Sequence, residues 1–188
     1  MTALAPTLSL RLFPRTASWL RDLFLILAGS WLVAFFAQLE IPMQPVPITG
    51  QTFAVLLVGA LLGSKRGVAA MIAYIAQGGL GLPFFAGGAS GFGILTGATA
   101  GYLLGFIGAA YVVGWLAEKG LERSVRTSIL PFFVGTVIIY IFGVAWLSIV
   151  LGSLSKAIQF GLLPFLVGDV IKLMAAAIVL PSAWKFVK

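Results

Sequence analysis

The sequence predicts an all-α, polytopic membrane protein of six transmembrane helices with both termini cytoplasmic. Of its 188 residues, 61% are hydrophobic and 9% charged, and the mean hydropathy is +1.11. Soluble domains are roughly half apolar and a quarter charged. The apolar residues gather in separate runs, and the length allows about six helices if each needs ~20 residues to cross a ~30 Å hydrocarbon core. The 12 basic residues complete the pattern. With six spans, all but Lys156 and Lys172 share one face, the arrangement the positive-inside rule assigns to the cytoplasm. One domain, residues 1–188, is expected, with residues 1–20 as a cytoplasmic tail.

The first run, residues 23–39, follows Arg11, Arg15 and Arg21. No small-residue cleavage site with soluble sequence behind it appears after the run, so a retained helix is expected. Ser30 and Ala34 give this helix a weak small-residue face on which a partner helix could dock. The outer loop that follows holds Pro42, Pro45 and Pro47, which fix φ and deny helix continuation, and reads as a stiff extended strap. The second run, residues 52–62, is short and becomes long enough to cross if extended back through Val46 and Pro47. A re-entrant hairpin made of the second and third runs would bury Lys65 and Arg66 at its tip, at several kcal/mol each. Two separate spans are therefore preferred.

The third run covers residues 68–85 and leads into GGLGLPFFAGGASGFG, whose glycines allow tight, irregular backbone. Such backbone is tolerated at membrane depth only beside protein or a wet cavity, which points to a cavity near the outer face. The fourth run, residues 92–117, carries Gly93, Gly97, Gly101, Gly105 and Ala109 at every fourth position, a seam for close helix packing. The fifth and sixth runs are residues 129–151 and 164–184.

Several functions are excluded by what the chain lacks. It has no Cys and no His, which removes thiolate and imidazole metal sites, His-ligated haem and the usual nucleophile–base pairs. No metal, cofactor or enzymatic activity is expected. The net charge of +7 is taken up by the topogenic belt, and no basic segment with interleaved aromatics lies outside the membrane to stack on bases. A nucleic-acid partner is not expected; the lipid bilayer is. GALLGSKRG resembles a phosphate loop, but its spacing fails and no strand precedes it. Nucleotide hydrolysis would therefore have to come from another subunit.

The exception in the apolar pattern is PFLVGDVIKLMAAAIVLPSAW. Asp169 and Lys172, at i and i+3, share a helix face. Counted from Pro164 at ~1.5 Å per residue they lie about 8 and 12 Å into the helix. Ionisable groups at such depth are costly unless they are paired or face a polar cavity, and they mark functional sites by default. A ligand or transport site and an ion pair that links helices are both open readings; the address beneath the Pro-rich strap and the Gly-rich loop favours the first.

Four stretches together, PVPITGQTFAVLLVGALLG, GGLGLPFFAGG, GYLLGF and PFLVGDVIKLMAAA, resemble the BioY family. Its members are the biotin-specific substrate-capture (S) components of energy-coupling-factor (ECF) transporters. The resemblance runs from about residue 23 to residue 184. It implies high-affinity capture of biotin from outside, and a coupling transmembrane subunit with two ATPase subunits to drive uptake. It also implies that the small-residue face of the first helix meets the coupling subunit.

The family's Gly-Asp-x-x-Lys motif maps onto Gly168, Asp169 and Lys172. An ionised Asp169 accepts only, which suits ureido N–H groups; Lys172 donates only, which suits either the ureido carbonyl or the carboxylate of biotin. Two stretches depart from the family. Where an asparagine is expected in the glycine-rich loop this chain has Gly87, Gly88, Ala89 and Ser90, and the fourth helix reads LTGATAGY, ending on Tyr102. The remaining ureido partner is Ser90, Gln77, Gln51 or backbone. Another vitamin, a biotin precursor, or a structural subunit in which Asp169 and Lys172 only link helices are the competing functions.

Overall fold

The computed structural model describes Thr7 and residues 19–185, the side chains of residues 183–185 excepted. The expected tail, residues 1–20, falls outside the described residues apart from Thr7, Trp19 and Leu20, as do Arg11, Arg15 and Lys188 and the side chain of Lys185. The chain forms helix α1 (Trp19–Ala37), strands β1 (Glu40–Ile41) and β2 (Ile48–Thr49), α2 (Gln51–Leu62) and α3 (Ser64–Gly79). There follow the short α4 (Phe92–Thr96), α5 (Ala100–Ala117), α6 (Val125–Leu151), α7 (Leu154–Gly161) and α8 (Leu166–Lys185). Among the described residues four stretches are long and apolar enough to cross a membrane: Trp19–Ala37, Ala100–Ala117, Val125–Leu151 and Leu154–Ser182. At ~1.5 Å per residue, α2 and α3 reach only about 18 and 24 Å.

Several boundaries depart from expectation, each for a local reason. The proline-rich loop closes on itself: β1 and β2 pair antiparallel, with Glu40 opposite Thr49 and Ile41 opposite Ile48. Val46 and Pro47 belong to this hairpin, and α2 starts only at Gln51. The third run is helical to Gly79 and then folds back, so that the Phe85 ring fills the space that a Cβ on Gly78 would need, 2.7 Å from Phe85 Cε1. The fourth run breaks between Thr96 and Ala100, where Gly97 is extended (φ −80°, ψ −172°). The carbonyl of Gly97 accepts from the Ala100 N–H at 3.2 Å and from Trp146 Nε1 at 2.9 Å. Helix α7 stands between the fifth and sixth runs. Ser153 caps it by accepting from Lys156 N, and it buries only Ala157 and Gly161.

The glycine seam holds for the half of the fourth run that stays helical. A Cβ on Gly105 would lie 2.9 Å from Ile139 Cα, so α5 and α6 touch backbone to backbone there, and Gly101 and Ala109 lie buried in the same helix. Gly93 has nothing within 4 Å of the Cβ it lacks and takes no part in the seam.

The small-residue face of α1 is a correction. Ser30 and Ala34 are buried, Ser30 Oγ accepts from Gln77 Nε2 of α3 at 3.1 Å, and neighbouring Gly29 packs against Val58, Leu62 and Ala70. That face is used inside the protein, and α1 presents Phe24, Leu27, Trp31 and Phe35 outward instead.

Basic residues collect at one end. Arg21 and Arg66 both reach Asp22, at 3.1 Å. Glu118, at the end of α5, accepts from the backbone N–H and hydroxyl of Ser64 at 2.8 and 2.9 Å. Lys65 and Lys119 are the next residues in sequence after this joined pair. Lys156 follows the 27-residue helix α6, so it lies at the opposite end from Arg126 in its first turn.

Candidate functional site

At the end of the bundle away from these charges lies a cavity of about 270 Å³, near the small end of the ~300–1,000 Å³ typical of small-molecule sites. The β1–β2 hairpin contributes Pro45, Val46, Pro47 and Thr49, and the start of α2 gives Gln51 and Thr52. The glycine-rich loop after α3, the second outer loop of the expected topology, adds Phe85, Ala86 and Ala89, and the break in the fourth run adds Gly97, Ala98 and Thr99. Tyr102, Leu103 and Phe106 of α5, Ile139 and Tyr140 of α6, and Phe165, Asp169 and Lys172 complete the lining. Both irregular segments and the intramembrane charges therefore meet in one place.

Three polar groups of this mostly apolar cavity, from Lys172, Thr52 and Tyr140, converge on Asp169, whose side chain is 7% exposed. Its Oδ1 accepts from Lys172 Nζ at 2.8 Å and from Thr52 Oγ1 at 3.2 Å. Its Oδ2 accepts from the Tyr140 hydroxyl. The Thr52 hydroxyl in turn accepts from Lys172 Nζ at 3.3 Å. An ionised carboxylate offers about four acceptor positions and an ammonium three donors. These contacts leave one acceptor position on Oδ2 and one N–H on Lys172 for a further molecule. An uncompensated charge here would cost several kcal/mol; the pair, held by two hydroxyls, presents an acceptor and a donor side by side.

The other sequence-derived candidates fall into three groups. Asp169, Lys172, Ala89, Gln51 and Tyr102 line the cavity. In two of these the polar atoms are already engaged: Tyr102 donates to the carbonyl of Gly161 at 2.7 Å, and Gln51 bonds Thr49 and Tyr74. Gly88, Ser90 and Gly168 lie close in sequence to lining residues but outside the lining. Gln77 sits between α1 and α3, where Oε1 accepts from Trp31 Nε1 at 3.2 Å and Nε2 donates to Ser30 Oγ.

Thr52 and Tyr140 are the polar groups that sequence reasoning missed. Thr52 follows Gln51 at a helix start and gave no distinct signal. Tyr140 carries the one aromatic hydroxyl in GTVIIYIFG, where the Thr136 hydroxyl is taken by the carbonyl of Phe132, and a buried tyrosine hydroxyl generally has a partner.

Residues 7–188 match the BioY family. The chain is 41% identical over 155 residues to the biotin transporter BioY of Thermotoga maritima, covering 82% of this chain and 86% of the relative. It is 37% identical over 142 residues to the biotin transporter BioY of Rhizobium etli, covering 72% and 76%. Among solved structures it is similar to the S-component for biotin from an ECF-type ABC transporter. That match has a TM-score of 0.74 and 25% identity, and covers 88% of this chain and 92% of the other.

Proposed function

The chain belongs to the BioY family, and from that premise we propose that it captures biotin at the cavity beneath the hairpin and outer loop and delivers it across the membrane. It is a multi-pass membrane transport component and not an enzyme. Its relatives named biotin transporters and its likeness to a biotin S-component support the ligand.

The observation that carries the reading is the Asp169–Lys172 pair. The open position on Asp169 Oδ2 accepts a ureido N–H, and the remaining Lys172 hydrogen goes to the ureido carbonyl beside it. Ile139, Phe106 and Leu103 meet the thioether ring, and Ala89 with the hairpin prolines lies over the ligand. Burial strengthens both charge-assisted bonds, because water cannot compete for them.

We further infer that α2 and α3 each cross the membrane, giving six spans with both termini cytoplasmic in one domain. Lys65 and Arg66 then lie with Arg21 and Lys119 at the inner face. With no phosphate loop of its own, the chain works with a coupling transmembrane subunit and two ATPase subunits. A calorimetric biotin titration of the purified protein tests the reading; saturable binding of another vitamin with none of biotin would refute it.

A further inference from the structure

The cavity's two irregular walls are joined through the core by a chain of side-chain hydrogen bonds. Thr49 Oγ1, in β2, donates to Gln51 Oε1 at 2.9 Å. Gln51 Nε2 donates to the Tyr74 hydroxyl at 2.5 Å, and that hydroxyl donates to the carbonyl of Phe84 at 3.2 Å. All four residues are buried. The chain crosses from the hairpin through α2 and α3 to the outer loop. Its ends bear on the lining directly: Thr49 lines the cavity, and so does Phe85, next to Phe84.

Packing reinforces the far end. The Tyr74 ring stacks on Phe84 with centroids 6.3 Å apart and meets Phe85 edge-on at 5.7 Å. The carbonyl of Phe85 accepts from Nε2 of Gln38, the residue after α1, at 3.2 Å. Adjacent carbonyls of the outer loop are thus held by Tyr74 of α3 and by Gln38, just past the end of α1. Gln51 is 7% exposed and both its amide ends are engaged, so a ligand that took either would strand a buried polar partner.

We propose that Gln51 and Tyr74 are positioning residues of the biotin site rather than ligand contacts. They fix the spacing between the Thr49 wall and the Phe84–Phe85 wall before the ligand enters, which sets the width available to the fused ring. Preorganisation of this kind removes an ordering cost from binding. The inference rests on the biotin reading above.

The test is a pair of titrations, biotin and desthiobiotin, on purified wild-type, Tyr74→Phe and Thr49→Val protein. Desthiobiotin keeps the ureido group and the carboxylate but lacks the sulfur bridge, so its affinity relative to biotin reads the fit of the ring. Tyr74→Phe keeps the aromatic packing and removes the hydroxyl between Gln51 and Phe84. Its biotin Kd is expected to rise about ten-fold, desthiobiotin is expected to lose less, and the discrimination ratio falls.

Thr49→Val cuts the same bridge at its other end and moves the ratio the same way; it decides alone if Tyr74→Phe yields no folded protein. A purely structural loss lowers the folded fraction and weakens both ligands equally. An unchanged ratio in a folded variant, whatever its affinities, overturns the proposal. If wild-type protein shows no saturable biotin binding, the biotin reading itself fails.

Discussion

The Tyr140 hydroxyl of α6 donates to Asp169 Oδ2 of α8, while Lys172 and Thr52 occupy Oδ1. A carboxylate anchored from three directions presents its last acceptor position in a fixed direction. Tyr140→Phe removes one charge-assisted bond, worth ~1.5–3 kcal/mol, and lets the carboxylate turn. Biotin Kd is expected to rise by about ten-fold or more in a calorimetric titration, with helix content by circular dichroism unchanged. A wild-type Kd would mean that Tyr140 does not orient Asp169.

Breaking the buried pair on one side differs from removing it. Lys172→Met leaves Asp169 as a charge with hydroxyl partners alone, a change that costs about 3–5 kcal/mol at buried pairs. The melting midpoint in detergent should fall clearly. The double variant Asp169→Asn/Lys172→Met is charge-balanced and should recover most of that midpoint while binding no biotin. If the double variant still binds biotin, the pair only links helices.

The glycine seam makes a separate prediction about stability. A Cβ on Gly105 meets the backbone of Ile139 at 2.9 Å, and backbone cannot swing aside. Gly105→Ala should therefore push α5 from α6 and destabilise by ~1–3 kcal/mol, the usual cost of overpacking. Gly93→Ala meets nothing within 4 Å and should leave the melting midpoint unchanged, although the two glycines look alike in sequence.

That contrast shows where sequence reading reached and where it stopped. The apolar runs, the end at which the basic residues gather and the shared helix face of Asp169 and Lys172 follow from composition and the i, i+3 spacing. The four-residue glycine period predicted one seam, but Gly93 and Gly97 fell beyond a helix break. Trp146 holds Gly97 at that break from 49 residues away, and no local pattern encodes the contact. Ser30 and Ala34 looked like a docking face because small residues serve internal and external packing equally; only Gln77 and Gly29 in place reveal the partner as internal. Tyr140 and Thr52 join Asp169 from 29 and 117 residues away, and such contacts are written in the fold.

The proposed six-span topology can be probed without background, since the chain contains no cysteine. Single Cys substitutions at Lys65 and Lys156 should react with a membrane-impermeant maleimide from opposite sides in intact cells. Lys156→Cys is expected to label from outside and Lys65→Cys only after permeabilisation. Labelling of Lys65→Cys from outside would contradict the topology.

The Asp169 carboxylate is the group on which ligand capture turns. Calorimetric titration of biotin into purified wild-type protein and Asp169→Asn tests this most directly. Saturable, single-site binding is expected for the wild type. In the variant, loss of the buried charge should weaken binding by about 100-fold or more, on the scale of ~2–5 kcal/mol for truncating one partner of a buried charge pair. Equal biotin affinity in the two proteins, or no saturable binding to the wild type, would contradict the account.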